Sequence, residues 1–278
     1  MVAGADRSTC SPDAVDSTQA RGRAFLRHMR VTWAVITICI WLGAASFAGA
    51  QSGTAQRLND RGLIEFTTEV GETLTLRLAG LEFPPDGAPG NALAMRYIDE
   101  QLAAASVSLV AQANRQDRYG HLIANIELGN GTLAEALVRS GFAMAYSWPD
   151  TRNEAASLMS LEAEAREARR GLWGSGIFAI RTPDVNTLAL YLETVQIIEG
   201  RVISIGDTRD RVYLNFGFDY RTDFTVSIER RHVALFTEAG INPHDLVGRI
   251  VRVRGWILAI NGPSISIDHP ERLEILTP

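Results

Sequence analysis

The sequence predicts a mainly β protein with some helix, built as two β-rich domains in series. Three observations carry this. Short runs that alternate apolar and polar residues recur from Leu63 to the C-terminus, the period of half-buried strands. Three segments with helical spacing are interleaved among the early runs. After a connector at 178–192, an alanine-rich composition gives way to short stretches rich in Val, Ile, Phe and Tyr. The domains are therefore placed at 56–177 and 193–278.

Residues 1–50 are set apart from the fold. Arg21, Arg23, Arg27 and Arg30 precede an apolar run from Val31 to Phe47, and Ala48, Gly49 and Ala50 lie before Gln51. A cationic stretch, an apolar stretch and small residues, in that order, form a secretory signal cleaved after Ala50. The protein is accordingly expected outside the cytoplasm, in the periplasm or secreted. The other reading of the run is a single membrane anchor, since its length is near the lower limit for a span. Met29 followed by Arg30 would itself begin a signal of ordinary length. Both cysteines, Cys10 and Cys39, precede the cleavage point, which excludes disulfides and cysteine-ligated metals from the mature chain. Ile38 before Cys39 argues against lipidation.

In the first domain, Leu63 to Phe66 and Glu72 to Leu78 read as a meander turning at Gly71, ended by the Pro and Gly cluster from Pro84 to Gly90. Leu93, Tyr97, Ile98 and Leu102 mark a helix over Ala92 to Ala104. Strands follow at Val107 to Ala111 and Leu122 to Leu128. Two more helices are expected at Thr132 to Ser140, stopped by Gly141, and at Glu154 to Arg170, stopped by Gly171.

In the second domain five strands are expected: Val195 to Ile205, Val212 to Phe216, Asp223 to Glu229, Arg249 to Ile260 and Ser264 to Ile267. One helix, His232 to Ala239, lies between the third and fourth. That is the element order of an OB-fold. Arg252, Arg254 and Trp256 alternate with Val251, Val253 and Gly255 and so share one face; with Tyr213 they form a candidate nucleic-acid surface, where aromatics stack bases and arginines grip phosphates.

After Ala50 the chain has 22 arginines and no lysine against 29 acidic residues, a net charge of −7. Unspecific binding to nucleic acid depends on neutralising phosphates with basic side chains, so this balance excludes a broad electrostatic footprint. Any nucleic-acid site must be local. The absence of lysine fits a GC-rich bacterial genome.

Four segments, in order, carry a family resemblance: Leu76 to Leu81 before a proline; Asp117, Arg118, Tyr119, Gly120; Glu135 to Arg139 with Gly141; and Glu162, Ala163, Ala165, Arg166 leading to Gly171, Leu172, Trp173. Across Leu63 to Trp173 the chain resembles the thermonuclease, or staphylococcal-nuclease-like, family. The resemblance implies a five-stranded OB-type barrel with three helices for that stretch; the second small OB-like barrel rests on the strand order of the second domain alone. It also implies phosphodiester hydrolysis by a carboxylate-bound calcium, two phosphate-gripping arginines and a glutamate that handles the attacking water, a chemistry in which metal and guanidinium offset developing anionic charge.

Matched residue by residue, Arg77 stands on the first phosphate arginine. Glu82 stands where a metal-binding aspartate is expected, making it the candidate calcium ligand. Pro85 occupies the position of the water-activating glutamate and has no side-chain acceptor. His121 replaces the second arginine and cannot supply a bidentate fork. Near Asp60, Arg61, Gly62 and Leu63, Gly62 falls where a second aspartate belongs. Arg77, Glu82 and His121 are therefore the candidate catalytic residues of a degenerate site.

The expected function is an exported binding or scaffold module of the cell envelope with no cofactor, its partner nucleic acid or an envelope protein, and a membrane only if residues 31–47 are not removed. The alternative is a DNA or RNA phosphodiesterase whose site is rebuilt, for instance from Glu65, Glu69, Glu72, Asp86 and His121, with calcium if catalytic.

Overall fold

A computed structural model describes residues 51–103, 107–110 and 115–276. The expected signal segment lies outside the described residues. In chain order the elements are β1 (Gln51–Arg57), β2 (Ile64–Thr68), β3 (Thr73–Leu78), β4 (Leu81–Glu82), α1 (Asn91–Leu102), β5 (Val107–Val110), β6 (Leu122–Glu127), α2 (Leu133–Arg139), β7 (Met144–Ala145), α3 (Arg152–Glu167), α4 (Gly171–Gly174), β8 (Ile180–Arg181), α5 (Val185–Leu188), β9 (Val195–Arg201), β10 (Ser204–Asp207), β11 (Arg211–Asn215), β12 (Thr225–Glu229), α6 (Val233–Glu238), β13 (Ile250–Trp256), β14 (Leu258–Ala259), β15 (Pro263–Ile267) and β16 (Leu273–Leu276).

The first domain is a closed five-stranded barrel in the order β1-β2-β3-β6-β5, with β5 returning to β1. All neighbours are antiparallel except β3 and β6, which pair in parallel. Strand alternation does what the sequence indicates: Ile64, Phe66, Leu76 and Leu78 face inward and are buried, while Glu65, Thr67 and Arg77 point away. β1 was not legible beforehand, because QSGTAQR has a single apolar side chain and its inward positions include Gly53, Ala55 and Arg57.

The three helices pack outside the barrel through Ala94, Met95, Ile98, Leu137, Val138 and Leu158. α2 begins with a capping box, Thr132 accepting from the Glu135 N–H and Glu135 from the Thr132 N–H. α3 ends earlier than its sequence predicts. Arg170 N–H reaches the Ala165 carbonyl and Arg169 N–H the Arg166 carbonyl, a Schellman pattern whose left-handed position is Arg169, at φ 50°, rather than Gly171. Gly171, itself at φ 51°, also serves close packing: a Cβ there would collide with the carbonyl oxygens of Ser140 and Gly141.

The stretch expected to be a plain connector is structured. Its β8 adds in parallel to β9, and Phe178 and Leu188 are buried. The second domain consists of two sheets, β10-β11-β12-β15-β14 and β16-β13-β9-β8. β9 and β10 are two halves of one bent run, as are β13 and β14, so the sheets share strands. Following those runs gives a meander, helix α6, then two strands, with β12 and β15 parallel. That connectivity repeats the first barrel. The core is Leu214, Phe224, Val226, Ile228, Phe236, Val251, Val253, Ile265 and Ile267. β16, unforeseen as a sixth strand, pairs with β13. A third apolar cluster, Met144, Tyr146, Ala165, Leu172, Trp173, Phe178, Val195 and Ile197, joins the two domains.

Candidate functional site

One cleft of about 540 Å³ opens beside the first barrel and gathers Asp60, Arg61, Arg77, Glu82, Phe83, Pro85, Asp86, Asp117, Arg118, Tyr119, Trp148 and Asp150 among its lining residues. Three loops meet there. The loop after β1 brings Asp60, Arg61 and Gly62; the one after β4 brings Pro84 to Asp86; the turn before β6 brings Asp117 to Tyr119. The buried Asn91 side chain at the start of α1 ties two of them together, donating to the Asp60 carbonyl (2.8 Å) and the Pro84 carbonyl (2.9 Å).

Arg77 projects from the outer face of β3 into this cleft. Its Nε lies 3.6 Å from Asp117 Oδ2, and its guanidinium carbon lies 5.7 Å from the centre of the Trp148 ring. Asp117 is a hub. Its Oδ1 accepts from the backbone N–H of Tyr119 and of His121, which closes the turn, while Oδ2 contacts His121 Nδ1 at 3.0 Å. Burial acts to raise the Asp117 carboxyl, but the His121 contact and the two N–H donors outweigh it and hold it below the ordinary aspartate range. The charge is thus secured where it fixes Arg77.

Glu82 is the opposite case. It is half-buried by surface area yet enclosed by protein on nearly every side, and desolvation, only partly offset by Arg77, pushes its carboxyl up to about 7. Tyr119 stands exposed at the rim, its hydroxyl taking a hydrogen bond from Arg118 Nη2 at 2.7 Å and its ring lying 4.7 Å from the Arg118 guanidinium.

Arg77 and Glu82 thus share the cleft, whereas His121 stands behind Asp117 and braces it. Of the acids considered for a rebuilt site only Asp86 is in the cleft. Glu65 accepts from Gln56 on the barrel wall, and Glu69 and Glu72 flank the exposed turn at Gly71. Calcium takes six to eight oxygen ligands, and among the described residues no group of three His, Cys, Asp or Glu side chains converges on a point. Glu82 shares the cleft lining with Asp60, Asp86 and Asp117 without being grouped with them on one point, so side chains alone do not supply a calcium cage there.

The second-domain arginines need correction. Arg252 and Arg254 do share one face with Trp256, but α3 of the first domain covers it. Arg254 is 2% exposed and binds Glu162 through both Nη atoms, the Ala145 carbonyl (2.7 Å) and Glu274 (2.9 Å). Arg252 pairs with Glu199 and Glu274. Arg254 is buried and Arg252 is 15% exposed with its guanidinium held by two carboxylates, so neither is presented to a phosphate. Trp256 stays partly exposed at the end of β13, and Tyr213 lies on the other sheet. Glu162, read from its spacing as a simple pair with Arg166, does approach Arg166 at 3.4 Å, but it is wholly buried and its main partner is Arg254.

Sequence reasoning missed Trp148 and Asp150. The available signal was the tripeptide Trp148-Pro149-Asp150, a turn former with a large aromatic between a buried strand and a helix.

Residues 75–175 match the family described as staphylococcal nuclease homologue. The chain is also 27% identical over 124 residues to "Probable endonuclease LCL3" of Schizophyllum commune (strain H4-8 / FGSC 9210), a match covering 38% of this chain and 42% of that protein. The chain therefore corresponds to about two fifths of the length of this curated relative.

Proposed function

We propose that the staphylococcal-nuclease-like domain formed around residues 75–175 binds the phosphodiester backbone of a single nucleic-acid strand without calcium-dependent hydrolysis, as part of an exported binding or scaffold module. The observation that carries this is Arg77, fixed at the cleft by Asp117 and placed near Trp148. Tyr119 and Trp148 offer faces on which bases stack, a sequence-tolerant contribution of about 1–3 kcal/mol per base. Pro85 supplies no proton acceptor. The relative's printed name, an endonuclease, agrees in ligand class.

The second domain is read as an OB-type barrel on its strand order, serving this site by support rather than through Arg252 and Arg254. Export rests on the cationic, apolar and small-residue order of residues 21–50. N-terminal sequencing of the purified protein is expected to begin at Gln51.

A second reading has one observation in its favour. A carboxyl held at about 7 beside an arginine is suited to general-base work, so Glu82 could activate water in a metal-independent phosphodiesterase. One experiment separates the two. Full-length protein is incubated with single-stranded DNA and RNA, with calcium and with EDTA, alongside Arg77→Ala and Glu82→Gln. Retention without cleavage, lost in Arg77→Ala, is the expected result. Cleavage that disappears in both variants would establish the second reading and sink the first.

A further inference from the structure

We infer that Arg272, in the second domain, is a positioning residue for the cleft: it seats the Trp148 wall against Arg77 without itself lining the site. The inference rests on the cleft being the binding site proposed above.

The geometry is specific. After β7 the chain runs Tyr146, Ser147, Trp148 and then turns over Pro149 and Asp150 into α3. Tyr146 N–H still reaches the Gly80 carbonyl of its own barrel at 2.8 Å. The Trp148 turn is closed locally by Thr151 N–H to the Trp148 carbonyl (2.9 Å) and Trp148 N–H to Thr151 Oγ1 (2.9 Å). Those bonds fix the turn's shape, and its placement comes from the other domain. Arg272 donates from Nε (3.0 Å) and Nη2 (2.9 Å) to the Ser147 carbonyl, a fork on one acceptor. The same guanidinium lies 4.6 Å from the Tyr146 ring centre and 5.6 Å from that of Trp148. Arg77 approaches Trp148 at 5.7 Å, so the indole has an arginine from each domain near it. At the end of the turn, Glu271 grips Arg152 through two bonds of 2.9 and 3.0 Å.

Ser147 also makes a hydrogen bond from Oγ to His269 Nε2 at 2.6 Å, and His269 Nδ1 meets Asp268 at 2.6 Å. Serine, histidine and aspartate in a row are the residue types of a nucleophilic triad. Ser147 is 0% exposed and His269 1%, however, so no substrate reaches them. The row acts as a second tether on the same peptide. Thus four of the five positions 268–272 serve this segment: His269, Glu271 and Arg272 hold it directly, and Asp268 holds His269 and Arg272.

The test uses the full chain carrying fluorotryptophan, with the Trp148 fluorine resonance assigned by its loss in Trp148→Phe, and a short fluorescein-labelled oligothymidylate as binding probe. Arg272→Gln and, as a milder change that leaves Arg272 in place, Ser147→Ala are each expected to move the Trp148 resonance while that of Trp256 stays. Arg272→Gln should weaken binding by about tenfold, as small misplacements of a positioning group do. In the Trp148→Phe background the same substitution should add less than about twofold, because both act through one side chain. An unmoved Trp148 resonance in both variants would overturn the inference, as would full additivity of Arg272→Gln and Trp148→Phe. If the unmutated protein fails to retain the probe, the proposed binding function falls, and the positioning claim is then decided by the resonance alone.

Discussion

Two carboxylates that share the cleft with Arg77 behave in opposite ways, and the difference is their company. Asp117 has two N–H donors and a histidine; Glu82 has burial and only the distant part of Arg77's charge. For Glu82 the folded state holds the proton to about 7, while the unfolded chain releases it near the ordinary glutamate value of about 4.3. The folded form therefore binds more protons between those values, and stability falls as pH rises from the lower to the upper one. Glu82→Gln is expected to be near neutral at acid pH and to stabilise by about 1–3 kcal/mol above pH ~7.5, read from denaturant midpoints at both ends. Oligonucleotide binding should strengthen as pH falls through about 7, because the cleft loses a negative charge, and Glu82→Gln should flatten that dependence. Arg77 and Glu82 were legible as cleft residues because each matches a family position. His121 was legible only as a loss; its partnership with Asp117 needed the turn's geometry.

At the scale of elements, most strands and helices follow from alternation and capping. Gly141 announced the end of α2; its start is held by the Thr132 and Glu135 capping box, and Thr132→Ala should cost about 1 kcal/mol in thermal unfolding. The end of α3 did not follow. Two adjacent arginines before a glycine suggested Gly171 as the stop, but the helix closes earlier, at Arg169 with φ 50°, and Gly171, itself at φ 51°, packs against Ser140 and Gly141. Arg169→Gly is then expected to stabilise the protein by about 0.5–1 kcal/mol, since a non-glycine residue is held there at φ 50°. A higher melting temperature would bear this out; an unchanged or lower one would mean that the Arg169 side chain contributes more than its strain costs. β8 and β16 escaped notice because neither has the length to display a period; each is stabilised by the neighbour it joins.

In the whole molecule, the polar contact between the domains is as structured as the apolar one. Arg254 and Glu162 are fully desolvated, and burial, which favours the neutral guanidine, is overcome by Glu162 and Glu274 so that the arginine is held charged above its usual range. Removing one member leaves the other buried and uncompensated, so Arg254→Met should destabilise by about 3–5 kcal/mol, and Arg254→Met with Glu162→Leu should recover most of that loss. Calorimetry of the unmutated protein is expected to show one transition, because melting either barrel alone would strand these groups. No feature of the sequence announces this pairing, since the partners are 92 positions apart and each also has a plausible neighbour nearby. Modular descent has a consequence here. A barrel fold is ordinarily an interchangeable part, duplicated, fused and passed between genes. In this chain Glu162, Ser147 and Arg152 of the first domain are completed by Arg254, Arg272 and Glu271 of the second. A fusion cut at the connector would hand its new host a barrel with an unpaired buried acid in its flank and a loose cleft wall, so the first domain is not interchangeable as a free-standing part.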